Sequence, residues 1–274
     1  MKMKTQLHWS FSTLGCPELD LDGVLELARE NGIRQLELRT LEKRVDLPAL
    51  FRERYGKPEA LRARLDEAGL GVVSLDTSWK LVGSKEEDRT AFLEFIEWAE
   101  ELEVPWLRVF DGGSHASELS SEDLKATVEA IAWWRDLKNR NGWKTDIMVE
   151  THDCLTASPA IEQLQEALAT PVGMLWDTHH TWKKGGEGLT HTWERIRENV
   201  VHVHIKDSIS VPSARHPFTY VLPGQGEFPL AEAVELFERD QFAGVISLEW
   251  ERQWHPYLQP VGEALRSCRQ LGWW

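Results

Sequence analysis

The sequence is poor in cysteine, in uninterrupted apolar runs and in positive charge. Its three cysteines, Cys16, Cys154 and Cys268, are scattered and odd in number, which argues for reduced thiols and against a disulfide framework. No apolar run approaches the roughly 18 residues a membrane span requires, so no membrane partner is expected. The start, Met1 to Thr5, is basic, but no apolar signal-peptide core follows it, and a cytoplasmic location is expected. Thirty-one Lys and Arg stand against 45 Asp and Glu, a formal net charge of −14. Nucleic acid needs clustered Lys and Arg, so that class of partner is set aside. The chain also lacks a linker, a low-complexity tract and a Gly-rich dinucleotide fingerprint after its first apolar run.

What is present is tryptophan and a repeating pattern. Fourteen tryptophans exceed what a core of this size requires; indoles beyond that need often line sites for ring-shaped ligands, although many simply pack. Short apolar runs recur at Leu7–Phe11, Ile33–Leu38, Gly71–Leu75, Trp106–Phe110, Ile147–Glu150, Val172–Trp176, Val200–Ile205 and Val245–Leu248. Helical patterns fall between them, at Leu21–Glu30 before the stop signal Asn31-Gly32, along Phe92, Leu93, Ile96, Ala99 and Leu102, and over Ser121–Asn139, Pro159–Ala169, Leu230–Arg239 and Pro260–Leu271. Eight strand-helix repeats in 274 residues predict one (β/α)₈ TIM barrel occupying residues 1–274 as a single domain.

The run Val201-His202-Val203-His204-Ile205-Lys206-Asp207 puts His202, His204 and Lys206 on one face of a strand. Buried parallel strands are ordinarily apolar throughout, so this face is read as the inside of the barrel near its mouth. Active sites of such barrels lie at the C-terminal strand ends. Those ends carry Glu37 and Arg39, Arg108 and Asp111, Glu150, Asp177, His204, and Glu249. Four consecutive strands thus offer Glu150, Asp177, His204 and Glu249 at equivalent heights. Three converging carboxylates repel unless a cation neutralises them. Three oxygens and one imidazole suit one divalent ion, Mn²⁺ foremost, with Mg²⁺, Co²⁺ and Zn²⁺ as alternatives.

With Asp177-Thr178-His179-His180, His204-Ile205-Lys206-Asp207, the loop Pro223-Gly224-Gln225-Gly226-Glu227 and Ser247-Leu248-Glu249-Trp250 added to Glu150, the chain resembles the sugar phosphate isomerase/epimerase family of xylose isomerase-like TIM barrels along its whole length. The resemblance implies a metal held by Glu150, Asp177, His204 and Glu249, with Glu150 and Glu249 as the acid-base pair. It implies His180 on a substrate oxygen and the Pro223–Glu227 loop beside the site. A small sugar or sugar derivative is the implied partner, with homo-oligomers common among such barrels. The chemistry implied is proton abstraction beside a polarised carbonyl, an enediolate, and reprotonation to an isomer or epimer. Loss of a β-hydroxyl instead gives a lyase or dehydratase of a keto-sugar or cyclitol, and a non-catalytic sugar-binding barrel is the remaining alternative. The four-histidine, multi-zinc pattern of the family's DNA-repair branch is not apparent.

His202, one layer deeper than His204, reads as a hydrogen-bonded histidine behind the ligands, and His179 as structural. His180 is balanced between substrate contact and a structural role. His152, at period two from Glu150, reaches the mouth as a substrate contact, and Lys206 serves there to stabilise oxyanion charge, with Asp207 as its pair. Glu37 and Arg39 read as a salt bridge lining the mouth, and Arg108 similarly, which puts Glu37 and Arg108 among the substrate contacts. Trp79, Trp182, Trp250 and Trp254 are candidate walls for a sugar ring, whereas Trp98, Trp133 and Trp134 fit helix faces. Cys154 reads as an inert thiol. The segment Lys183-Lys184-Gly185-Gly186-Glu187-Gly188 reads as a flexible lid, with a phosphate cradle as its alternative.

Overall fold

The structure, a computed structural model, describes residues 7–274; the Met1–Thr5 segment weighed above lies outside the described residues. In chain order the strands are β1 (His8–Phe11), β2 (Gln35–Leu38), β3 (Gly71–Lys80), β4 (Trp106–Phe110), β5 (Asp146–Glu150), β6 (Gly173–Asp177), β7 (Val200–Ile205), β8 (Asp207–Ile209), β9 (Thr219–Val221) and β10 (Val245–Leu248). The helices are α1 (Leu21–Asn31), α2 (Leu47–Tyr55), α3 (Pro58–Ala68), α4 (Glu86–Leu93), α5 (Ile96–Glu101), α6 (Ser121–Asn141), α7 (Ser158–Ala167), α8 (Thr178–Lys183), α9 (Leu189–Ile196), α10 (Leu230–Arg239) and α11 (Val261–Gln270).

Eight strands form one parallel sheet in the order β1-β10-β7-β6-β5-β4-β3-β2. Its edges, β1 and β2, meet at a bridge between Ser12 and Glu37. The Thr13 hydroxyl reinforces that seam by accepting from the N–H groups of Arg39 and Thr40. This is the expected (β/α)₈ barrel, nearly closed.

The strands alternate in an unusual sense. Leu36, Leu38, Leu107, Val109, Ile147, Val149, Val203, Ile205 and Ile246 are buried, and so are the intervening Glu37, Arg108, Glu150, His202, His204 and Ser247. Glu37 on β2 bonds His202 and His204 on β7, strands that are not neighbours in the sheet. The polar set therefore meets across the lumen, and the apolar set faces the helices. Helix boundaries follow ordinary capping: Asp20 accepts from the Gly23 N–H at the start of α1, and Gly32, at φ 70°, closes it.

The structure departs from the sequence reading in five places, one of them the stretch between β6 and β7, which carried no helix and forms α8 and α9. Two helices, α2 and α3, occupy the stretch between β2 and β3 that carried no assignment; the Asp46 cap and the prolines in both first turns are their signals. The Phe92–Leu102 stripe is two helices, α4 and α5, interrupted at Glu94 and Phe95. Strand β3 continues past Leu75 to Lys80, resuming its pairing with β4 after a shift in register. After β7, the chain forms an antiparallel hairpin, β8–β9, that was not anticipated.

Candidate metal centre

Asp177 and His204 are register partners on β6 and β7. Glu150 ends β5, and Glu249 follows β10, whose Ser247 pairs with His204. These positions bring together one ligand atom each from Glu150, Asp177, His204 and Glu249, all within 4.8 Å of one another and all buried. Asp177 can join because one oxygen is already used: Oδ1 caps α8 by accepting from the His180 N–H at 2.9 Å.

Glu37 decides which nitrogen of His204 faces the cluster. Its Oε2 accepts from His204 Nε2 at 3.0 Å and from His202 Nε2 at 2.8 Å. Against the cost of burial, His204 and His202 hold the Glu37 carboxyl well below its usual range. It is therefore an ionised acceptor, and His204 Nε2 must be the donor. Against the cost of burial, Glu37 and then Glu249 and Glu150 raise the imidazole well above its usual value, so without an ion Nδ1 is protonated as well. A divalent ion would displace that proton and take up the Nδ1 lone pair. Nδ1 lies 3.4 Å from Glu249 Oε1 and 3.7 Å from Glu150 Oε1. Two buried carboxylates facing one point repel unless a cation stands among them, either the His204 imidazolium or a divalent ion in place of its Nδ1 proton. His204 Nδ1 and Glu150 Oε2 are buried without a hydrogen-bond partner. The donor set, three carboxylates and one oriented imidazole, fits a divalent ion.

The surrounding charges are arranged accordingly. Burial pushes Asp177 up, to about 6, despite the nearby Lys206. Against the cost of burial, Arg108 and His204 hold Glu150 well below its usual range. Lys206, 1% exposed, places Nζ 2.7 Å from Asp177 Oδ2 and 2.8 Å from Glu251 Oε1, and donates to Glu249 Oε2. Its ammonium holds Glu249 Oε2 and the same Asp177 oxygen, Oδ2, that is left for the cluster.

Above the cluster the mouth opens as two contiguous lobes of about 260 and 380 Å³. Both are lined by His152, His180, Glu251 and Trp254. His180 Nδ1 is 3.1 Å from the Thr151 carbonyl and 3.2 Å from Asp177 Oδ2. Burial, then Lys206, hold its imidazole well below the usual value, so it is neutral. His152 stands edge-on to His180 at 4.8 Å and to Phe110 at 4.8 Å. Asp111, the other β4 end residue, fixes the β5 loop by accepting from the N–H groups of His152, Asp153 and Leu155.

Several expectations require correction. Glu37 does not pair with Arg39 and does not line the mouth; with 0% exposure it lies beneath the cluster, and Arg39 instead donates to the Asp76 carbonyl and the Ser78 hydroxyl. Trp79 is a core residue, 2% exposed, packed on Phe92 and Trp133 with its N–H on Ser84. Trp182 faces His179 and Phe228 rather than the mouth. Trp250 is buried and donates to the Gln259 carbonyl. Asp207 does not pair with Lys206. Its carboxylate accepts from the N–H groups of Gly224, Gly226 and Phe228, and so staples the Pro223–Glu227 loop. The glycine-rich segment is not a free lid: a Cβ on Gly185 would lie 2.0 Å from the Thr156 carbonyl, and Glu187 accepts from the Ser158 N–H and hydroxyl.

Other placements agree with the sequence reading. Trp254 lines both lobes, Arg108 lines the inner one, and Cys154 is buried with its thiol pushed up by burial. His179 is held by Ser208 among aromatic rings. Glu251 and Tyr220 are among the lining residues that went unread. Glu251 continues the Glu249 face at period two, a signal that was available. Tyr220 comes from the hairpin and had none.

A family model described as the xylose isomerase-like TIM barrel matches residues 25–271. The chain belongs to that family. Among solved structures, the probable 3-DHS dehydratase AsbF from Bacillus anthracis superposes with a TM-score of 0.78 at 17% identity, covering 97% of this chain and 99% of that one. The IolI protein with a bound zinc atom follows at 0.73 and 19%, covering 98% and 96%. A D-tagatose 3-epimerase-like protein gives 0.67 and 17%, also covering 98% and 96%. At these identities the likeness is one of fold. No curated protein matches the chain.

Proposed function

We propose that this xylose isomerase-like barrel is a divalent-metal-dependent isomerase or epimerase of a small ketose or keto-sugar. One observation carries the reading: Glu150 and Glu249 both reach the cluster in which His204 Nδ1 stands 3.7 and 3.4 Å from their oxygens. Two carboxylates reaching one point from different strands can act on one carbon from two sides. Held by Glu150, Asp177, His204 and Glu249, a divalent ion supplies Lewis acidity that acidifies the C–H beside a substrate carbonyl. Mn²⁺ suits this donor set, as do Mg²⁺, Co²⁺ and Zn²⁺.

The chain's own residues do the rest. One glutamate removes the proton, and the other returns one to the opposite face, which epimerises the carbon. Neutral His180, with Nδ1 turned to the Thr151 carbonyl, offers Nε2 to a substrate oxygen. Lys206 fixes Glu249 and Asp177 in place.

His152 favours a second reading. It lines both lobes beside His180, and so supplies a proton donor beyond the two glutamates, as a leaving hydroxyl needs. That chemistry is a keto-sugar or cyclitol dehydratase.

Metal content of wild type and His204→Ala comes first, with about one ion per chain expected in wild type and loss in the variant. A sugar panel in D₂O follows. Solvent deuterium in a product of unchanged formula supports isomerase or epimerase, and loss of water supports the dehydratase. Bound metal with no turnover, and sugar binding that survives Glu150→Gln and Glu249→Gln, leaves a binding barrel and sinks both.

A further inference from the structure

The inner lobe of the mouth sets two buried guanidiniums beside carboxylates that are already engaged, Glu150 and Glu249 in the cluster and Glu251 on Lys206. Arg39 and Arg108 both line it, with Lys80 at its margin, in a chain whose net charge is −14. Arg39 is 6% exposed and donates to the Asp76 carbonyl at 3.1 Å and to Ser78 Oγ at 3.0 Å. No acidic side chain of the described residues lies within ion-pair distance of it. Arg108, 2% exposed, leaves Nε and Nη1 without a hydrogen bond. Its nearest acids are Glu150 at 3.3 Å and Asp76 at 3.6 Å, and its guanidinium lies 3.9 Å from the Phe110 ring centre.

Burying one guanidinium without a carboxylate is expensive, and placing a second beside it adds repulsion. Both effects are visible: burial, then Arg108, push Arg39 down to about 10. Asp76 offers little relief, because burial and Glu37 push its carboxyl up to about 8. Glu150 and Glu249 are the remaining counter-charges near Arg39, and the metal cluster already claims both. Two guanidiniums with unspent donors on one wall of a cavity form a fork suited to an oxyanion, by planar bidentate hydrogen bonds that lysine cannot reproduce. The lobe of about 260 Å³ also holds Glu150 and Glu249. An anion seated there belongs to the same small molecule as the reacting carbon.

We propose that Arg39 and Arg108 form an anion subsite, so that the substrate is a keto-sugar bearing a carboxylate or a phosphate ester. The assignment of the sugar rests on the proposed function; the subsite itself rests on the two arginines.

The test is calorimetric titration of the metal-loaded protein with D-fructose, D-fructose 6-phosphate and D-fructuronate, which share the fructose configuration and differ at the terminus. Wild type is expected to bind at least one anionic sugar about tenfold or more tighter than fructose. Preference for D-fructuronate marks a sugar acid, and preference for the phosphate ester marks a phosphorylated sugar. Arg39→Gln should bring the anionic-to-neutral affinity ratio close to one, while Arg39→Lys retains part of it. Metal content and the circular dichroism melt of both variants check that the barrel and its cluster survive. Equal binding of all three sugars by wild type, binding of none, or an unchanged ratio in a folded, metal-loaded Arg39→Gln overturns the subsite. An anion preference abolished by Arg39→Gln, with no solvent-deuterium exchange in any sugar, upholds the subsite and removes the isomerase reading instead.

Discussion

Replacing Glu37 should weaken metal binding although Glu37 is not among the four proposed ligands. Its Oε2 accepts from His204 Nε2 at 3.0 Å and from His202 Nε2 at 2.8 Å, which points His204 Nδ1 at Glu150 and Glu249. Groups that orient a ligating histidine typically contribute 10- to 100-fold in metal affinity. Glu37→Gln keeps an acceptor of the same size but removes the charge that makes the imidazole a better donor. The lower end is therefore expected, about tenfold, or ~1.4 kcal/mol. Glu37→Ala also frees His204 to rotate and strands its Nε2–H in a dry lumen, so about 100-fold is expected, with a stability loss of about 1–3 kcal/mol. His202 suffers less, since Ser247 Oγ also lies 2.8 Å from its Nε2. Competition for Zn²⁺ against a chromophoric chelator measures the affinities, and thermal melts of the metal-free proteins measure the folding cost. In a double-mutant cycle with His204→Ala, the Glu37 effect on affinity should vanish. Both variants holding the ion within about twofold of wild type would refute the orienting role.

Trp79→Ala should cost about 3–5 kcal/mol of stability and leave sugar affinity unchanged in whatever fraction remains folded. Trp254→Ala should do the opposite, leaving stability within about 0.5 kcal/mol and weakening sugar binding about five- to tenfold. Melting curves and ligand titrations on the pair separate a core indole from a wall of the mouth. Asp207→Ala removes the acceptor for the N–H groups of Gly224, Gly226 and Phe228; a loss of about 2 kcal/mol is expected as a lower urea midpoint. Burial, then Glu18, push the Cys16 thiol up to about 12. A raised thiol value favours the fold below the unfolded value of roughly 8.5 and is lost as pH climbs through the folded one. At pH 8 a disulfide thiol reagent should therefore label none of the three cysteines in the native protein and all of them in denaturant.

The barrel was legible because its evidence is local. Each strand is a short apolar run and each helix an amphipathic stripe, and eight repeats of one unit leave few arrangements open. Helix α9 escaped although Leu189, Trp193 and Ile196 mark a helical stripe; the rest of what escaped lacked that periodicity. Helices α2 and α3 bury only a few side chains each, such as Leu50 and Phe51 or Leu61 and Leu65, too few to mark a stripe. The hairpin β8–β9 has strands of three residues, shorter than an alternation can announce. Tyr220 and the other groups it delivers to the mouth went unseen with it.

The candidate site divides along the same line. Glu150, Asp177, His204 and Glu249 could be read because each ends its own strand and the strand-end rule needs no knowledge of partners. The residues that were misplaced are those whose role depends on what stands opposite. Glu37 and Arg39 share a face at period two, and pairing them was the local inference. In the folded barrel Glu37 turns to a histidine 167 positions away, and Arg39 follows the backbone of β3. The reason is electrostatic. A lumen with surplus carboxylate beneath and guanidinium above separates its charges by height: Glu37 stabilises imidazole below the cluster, whereas Arg39 is left without an acid at the cavity wall. A local Glu37–Arg39 bridge would have cancelled both charges. It would have left His204 without its orienting partner and the mouth without an unspent cation. That the fold forgoes this bridge is itself an argument that an ion below and an anion above complete the charge balance of the lumen.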